Sequence, residues 1–187
     1  DSGQYYGIAD PEFMLEVERF ADWLEEQPDV SVVNSYVGML KTLNEAEHDN
    51  DAAWHVLPDD NLQVIDYLVG YQLVQEIEPH LEPIFDPEYT TVRVVVGTSN
   101  LTNVQLLELN QRIEAWHADN INPDYRVMHG SNTILYARLN DTISRQLLEG
   151  FTVSFLLITL TMLVGLRSVR YGLISIAPNL LPPAVVF

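Results

Sequence analysis

Five residues able to hold a metal ion or carry a proton crowd one short stretch of the sequence: Glu47, His48, Asp49, Asp51 and His55. Imidazole and carboxylate are the groups through which proteins most often bind divalent cations. The spacing nevertheless fits no metal loop. There is no pair of histidines four apart on a helix, and no glycine at the turn position an EF-hand demands. A solvated acidic loop is the simpler reading, and no metal or cofactor is expected. His117 and His129 fall in different predicted elements and read as structural or surface residues. Trp54 stands in a polar loop, where an indole suits a substrate contact. Trp23 and Trp116 are further groove candidates, although Trp116 continues a core stripe.

Other chemistries find no support. No Gly-x-Ser-x-Gly elbow is present for a hydrolase, and no glycine-rich phosphate loop for direct use of a nucleotide. The chain has no cysteine, so disulfides, thiolate catalysis and cysteine zinc sites are excluded. The reading is of a protein that is not an enzyme.

Charge divides the chain. All 27 Asp and Glu lie at or before Glu149, against seven of the nine Lys and Arg, so residues 1–150 carry about twenty excess negative charges. Such a surface repels phosphate backbones and anionic membranes, which argues against nucleic acid as a partner. The rest is apolar. From Phe151 to Leu166 no residue is charged, and with Leu147–Gly150 the window reaches about 20 residues, enough for a helix across roughly 30 Å of hydrocarbon. Arg167-Ser168-Val169-Arg170 then interrupts, and a second uncharged run extends from Tyr171 to Phe187. This predicts two transmembrane helices, about 147–166 and 171–187, with the second truncated and a very short turn between them. A soluble core hairpin is the alternative. Two arginines in a four-residue turn favour that turn as cytoplasmic and residues 1–145 as extracytoplasmic, although Arg138 and Arg145 flank the other membrane face. With Glu149 these two arginines read as interface anchors.

The elements ahead of the membrane follow from local signals. Asp10-Pro11 is a helix start, followed by Phe13, Val17, Phe20, Ala21 and Leu24 at helical spacing. Val30–Asn34 is β-branched and predicts a strand. Residues 35–80 read as a helical insertion, with helices at Tyr36–Glu47 and Leu62–Ile77. The second is expected to present Leu62, Ile65, Leu68 or Val69, and Gln72 or Leu73 along one side. Pro79, Pro83 and Pro87 mark an irregular connector. Thr90–Thr98 alternates as a strand, with Val92, Val94 and Val96 on one face. Thr102 and Gln105 form a capping box for a helix to about Ala118. Tyr125–His129 is a further predicted strand. From Asn132 a helix carrying Leu135, Leu139, Ile143 and Leu147 runs on without a break before Phe151. The order α-β-(insertion)-β-α-β, with one strand missing at the start, predicts an α+β ferredoxin-like split βαβ domain of residues 1–145. The chain begins with Asp and ends inside an apolar run, so it reads as part of a longer protein.

Leu166-Arg167-Ser168-Val169-Arg170-Tyr171-Gly172-Leu173 and Pro178-Asn179-Leu180-Leu181-Pro182 resemble the second-to-third membrane helix region of RND-superfamily exporters, closest to the MMPL-like "predicted exporter" branch. Ile8–Phe13, Phe20–Leu24, Leu40–Asn44 and Ala53–Pro58 resemble the porter domain of that branch. The resemblance implies a multi-pass bacterial inner-membrane protein, driven by the proton gradient and exporting hydrophobic or lipid-like molecules by alternating access. It implies that this chain is the later part of a first porter domain with the second and the start of the third membrane helix, and that the proton relay lies on a later helix. Its partners would be the bilayer, the transported molecule, the remainder of the transporter and further copies of itself. Arg167, Ser168, Arg170, Gly172, Pro178, Asn179 and Pro182 would be the family membrane motif, structural or coupling in role. A prolyl kink frees backbone carbonyls that Asn179 could satisfy. Two rivals remain: a membrane-anchored extracytoplasmic sensor, and a protein-export accessory factor of the SecD/SecF kind.

Overall fold

The computed structural model describes residues 1–166 apart from Pro79 and Leu81. The second predicted membrane helix, and with it Arg167, Ser168, Arg170, Gly172, Pro178, Asn179 and Pro182, lies outside the described residues. The chain divides into two units, residues 1–130 and the segment from Ser131 onward.

In the first unit, helix α1 spans Pro11–Glu25. Asp10 starts it, its carboxylate accepting from the amides of Glu12 and Phe13 while Pro11 occupies the first helical position, where a missing N–H costs nothing. Phe13, Met14, Val17, Ala21 and Leu24 are its buried side. Strand β1 is Val30–Asn34, and helix α2 follows at Tyr36–Glu47, capped by Ser35. A short 3-10 turn at Ala52–Trp54 leads to helix α3, Asn61–Ile77. Strand β2 is Val95–Thr98, and helix α4, Asn103–Asn120, begins at the expected capping box, in which Thr102 and Gln105 bond each other's backbone.

β1 and β2 pair antiparallel, Val33 opposite Val96 and Asn34 opposite Val95, with an irregularity between Val30 and Val32. A Cβ on Gly97 would lie 2.5 Å from Val32 Cγ1, so a larger residue there would require the Val32 side chain to shift. The strand expected over Thr90–Thr98 is shorter than read, because Val92 pairs only as an isolated bridge to Phe85. Its alternation holds: Val92 and Val94 pack on the core while Arg93 and Val95 face outward.

The core gathers Ile8, Phe13, Met14, Val17, Tyr36, Val37, Leu40, Val64, Leu68, Phe85 and Tyr89. Each such side chain contributes about 1.5–3 kcal/mol on leaving water. Tyr36 is wholly buried, and its hydroxyl donates to Ile8 O at 3.0 Å. Burial pushes its pKa well above the ordinary tyrosine value.

Three expectations need correction. Of the stripe expected on α3, Leu68 is buried and Ile65 packs on the core, but Val64, Tyr67 and Tyr71 complete that side, while Leu62 and Leu73 are 70% and 56% exposed. The α3 sequence is apolar on nearly every side, so two stripes competed for the core. Helix α4 runs to Asn120 rather than ending near Ala118. Tyr125–His129 is not a strand. Arg126 exchanges backbone bonds with Asp1 at 2.9 and 3.0 Å, and among the described residues no strand lies alongside to continue the ladder.

Among the described residues of the second unit, Asn132–Leu166 forms an uninterrupted helix, α5, of 35 residues. At 1.5 Å per residue it is about 52 Å long, well beyond the roughly 30 Å of a bilayer core. It is long and apolar enough to cross a membrane, and its most apolar window buries none of its residues.

Candidate functional site

The acidic stretch between α2 and α3 is an ordered loop built on Asn44. This side chain is 2% exposed, and its Nδ2 donates to Trp54 O and Val56 O, both at 3.1 Å. Asp49 and Asn50 sit at positive φ, a region Asp and Asn tolerate better than most residues. His48 is held by Asn44 O at its Nδ1, 2.8 Å away, and Trp54 lies flat on its ring at 3.7 Å. His55 Nδ1 meets Glu45 Oε2 at 2.7 Å. The Tyr67 hydroxyl donates to Glu47, which also accepts from Gln63 at 3.0 Å. These two bonds hold the Glu47 carboxyl below its usual range. Burial and the Glu47 bond push Tyr67 up to about 12. Each imidazole of the loop is thus engaged, and among the described residues no three His, Asp or Glu converge on a metal position.

The loop carries His55 to the rim of a cleft of about 540 Å³. Val33 and Asn34 at the end of β1, Gly38, Met39 and Thr42 on α2, Tyr71 on α3, Glu82–Ile84 of the connector, and Arg93 and Val95 line it. Its lining mixes apolar side chains with polar ones, Asn34, Ser35, Thr42, His55, Glu82 and Arg93 among them. Arg93 and Glu82 form an exposed ion pair at 3.2 Å on its edge. Gly38 contributes open space, since an added Cβ would touch only Ser35 Oγ, at 3.5 Å. Trp54, the expected substrate contact, is not among the lining residues; it is 45% exposed and covers His48 instead.

A second aromatic group joins α1 to α4. Phe20, Trp23 and Trp116 stack with centroids 5.1–6.3 Å apart. His117 and His129, twelve residues apart in sequence, come together as well, with ring centroids at 5.5 Å and planes at 60°. Burial and the neighbouring His117 lower the His129 pKa, against an opposing pull from Glu114. Sequence reasoning set both histidines aside, because nothing local signals a pairing across the Asn122–Asp124 turn.

On α5, Arg145 pairs with Asp141 one turn earlier at 3.0 Å. Within the apolar part, the hydroxyls of Thr152 and Thr161 each donate to the carbonyl four residues back at 2.8 Å, so neither leaves an orphan donor in an apolar environment. The Thr159 hydroxyl is shut off from solvent and finds no partner among the described residues.

No protein-family model matches this sequence, and comparison with curated proteins and with solved structures gives no match.

Proposed function

We propose that this chain is a segment of a proton-driven exporter of the RND type, MMPL-like branch, moving hydrophobic or lipid-like molecules by alternating access. The observation that carries the reading is α5, a single 35-residue helix with no buried residue in its most apolar window and with polar first turns that begin two residues after the acidic unit ends at Gly130. The acidic unit would stand on the extracytoplasmic side of a bacterial inner membrane, with further spans after the arginine-flanked turn at Arg167 and Arg170. The adjacent antiparallel pair β1–β2, with α1 before it and α4 after it, suits the middle of a ferredoxin-like split βαβ sheet into which α2 and α3 are inserted. The outward apolar stripe of α3 (Leu62, Val69, Leu73 and Ile77) suits contact with the rest of such a transporter or with its substrate. The cleft beside Gly38 would hold the apolar part of the transported molecule. α5 would carry movement between the acidic unit and the membrane bundle.

The test is insertion of two glycines after Arg145 in the complete gene. This breaks the helix above the membrane without touching the apolar span. Export of a lipophilic dye should fall while the protein remains in the membrane at normal abundance. Unchanged export would remove the coupling role of α5.

A further inference from the structure

We propose that α5 pairs with α5 of a second copy of this chain, parallel and in register, along one face that runs from its polar turns into its apolar part. Counted in sevens from Tyr136, the first and fourth positions of each heptad carry Tyr136, Leu139 and Ile143 in the polar part and Val153, Leu157 and Leu160 in the apolar part. The repeat continues to Val164 and is interrupted only by Gln146 and Gly150. An apolar seven-residue repeat held over about four heptads is the pattern of a left-handed helix pair. All six of these side chains are exposed, at 47% to 65%. The covered side of α5 lies elsewhere: Ala137, Asp141, Phe155 and Thr159, each buried or half-buried, all fall outside the seam.

Three features select a second copy as the occupant of this face. First, Gln146 stands at a fourth position, inside the seam. A glutamine amide both donates and accepts, so two Gln146 side chains meeting across a twofold axis satisfy each other. A polar residue in an apolar seam fixes register in this way, whereas a different helix would need a polar group of its own at that level. Second, charge is kept off the seam. Arg138, Asp141 and Arg145 hold third and sixth positions, on the far side, and only Glu149 borders it. In a parallel pair Glu149 faces Ser154 of the second copy rather than another carboxylate. Third, two copies entering one bilayer in the same direction have parallel α5 helices with equal heptads at equal depth. Gly150, where an added Cβ would meet nothing within 4 Å, lies in the seam and lets the two backbones approach, as small residues do between membrane helices. The acidic units, with about twenty excess negative charges each, oppose the approach, but at physiological salt charges more than about 8 Å apart are largely screened. This pairing rests on α5 crossing a membrane, as proposed above, and not on what is exported.

The test is disulfide cross-linking of the whole chain, which has no native cysteine, in the membranes of cells that express it. Leu139→Cys, Ile143→Cys and Leu157→Cys should each yield a dimer on oxidation with copper phenanthroline, and Asp141→Cys and Arg145→Cys at least about fivefold less. Gln146→Glu brings two carboxylates together in the seam and should lower the Leu139→Cys dimer about tenfold at neutral pH and equal abundance. Ser144→Glu, two residues away but outside the seam, should leave it unchanged. Equal cross-linking on both faces, none at the seam positions, or a dimer indifferent to Gln146→Glu overturns the pairing. If another helix of the same molecule covers the seam, cysteines there give no dimer between two differently tagged copies, which overturns it as well. A failure of α5 to cross the membrane reads differently: a membrane-impermeant maleimide would then label Leu157→Cys, whereas a shielded Leu157→Cys that does not cross-link refutes the pairing alone.

Discussion

Asn44→Asp exchanges one atom and tests whether a buried amide builds the loop that delivers His55 to the cleft. In the native protein the Asn44 amide donates to two carbonyls, Trp54 O and Val56 O, and its own oxygen accepts from Gln63 at 3.4 Å. A carboxylate can only accept. Both carbonyls then lose their donor and face a negative oxygen. Each lost bond is worth about 0.5–1.5 kcal/mol net and both are part-buried, so the penalty at neutral pH should be about 1–3 kcal/mol. The introduced acid relieves the clash by binding a proton, so its folded pKa rises above the unfolded value of about 3.9. A raised folded pKa gives stability that is present below the unfolded pKa and lost as pH climbs through the folded one. The penalty relative to wild type should therefore be smallest near pH 4 and grow toward neutrality. The assay is urea unfolding of both proteins in the same micelles between pH 4 and pH 7.5, with amide hydrogen exchange of residues 49–60 as the local readout. A penalty below about 1 kcal/mol that does not change with pH would mean that the Asn44 bonds do not hold the loop.

Asp86 predicts the opposite pH response. Burial works to raise its pKa, but the amides of Thr91 and Thr90 and the Thr90 hydroxyl outweigh burial and hold it below the ordinary value. Its contribution is therefore present above the unfolded pKa of about 3.9 and lost as pH falls through the folded one. Asp86→Asn should flatten the acid limb of thermal stability between about pH 4 and pH 2, read by circular dichroism. At the cleft, Gly38→Ala meets only an ordinary contact with Ser35 Oγ at 3.5 Å, and it should raise stability by about 0.5–1 kcal/mol through helix propensity. Gly38→Leu should fold as well but fill the cleft, lowering export of a bulky substrate without lowering abundance.

The elements written most plainly in the sequence are those with local signals. Asp10-Pro11, the β-branched run at Val30–Asn34 and the Thr102–Gln105 box each carry their own start or stop, and the structure places helices and strand there. The uncharged run after Glu149 is equally plain, since length and composition alone identify a helix able to cross a membrane. Features that need a partner were not legible. Tyr125–His129 has strand composition, but a strand exists only where another lies beside it, and among the described residues none does. The core face of α3 could not be chosen from a helix apolar on several sides, since the choice depends on the tyrosines Tyr67 and Tyr71 joining Val64 and Leu68. The cleft is assembled from six separate stretches between Val33 and Val95. The histidine pair depends on the path of the chain after α4.

The central claim is that α5 leaves the acidic unit and enters a membrane, and the absence of cysteine makes a direct measurement simple. Single cysteines introduced one at a time at residues 131–165 can be challenged in intact cells with a membrane-impermeant maleimide. Labelling is expected at the start of α5, near Ser131 and Asp141, with protection from about Leu147 onward, because a bilayer core of roughly 30 Å takes about 20 residues of helix. Cysteines at Ser154, Ile158 and Thr161 that react as fast as one at Ser131 would contradict the account, because α5 would then lie in water along its whole length.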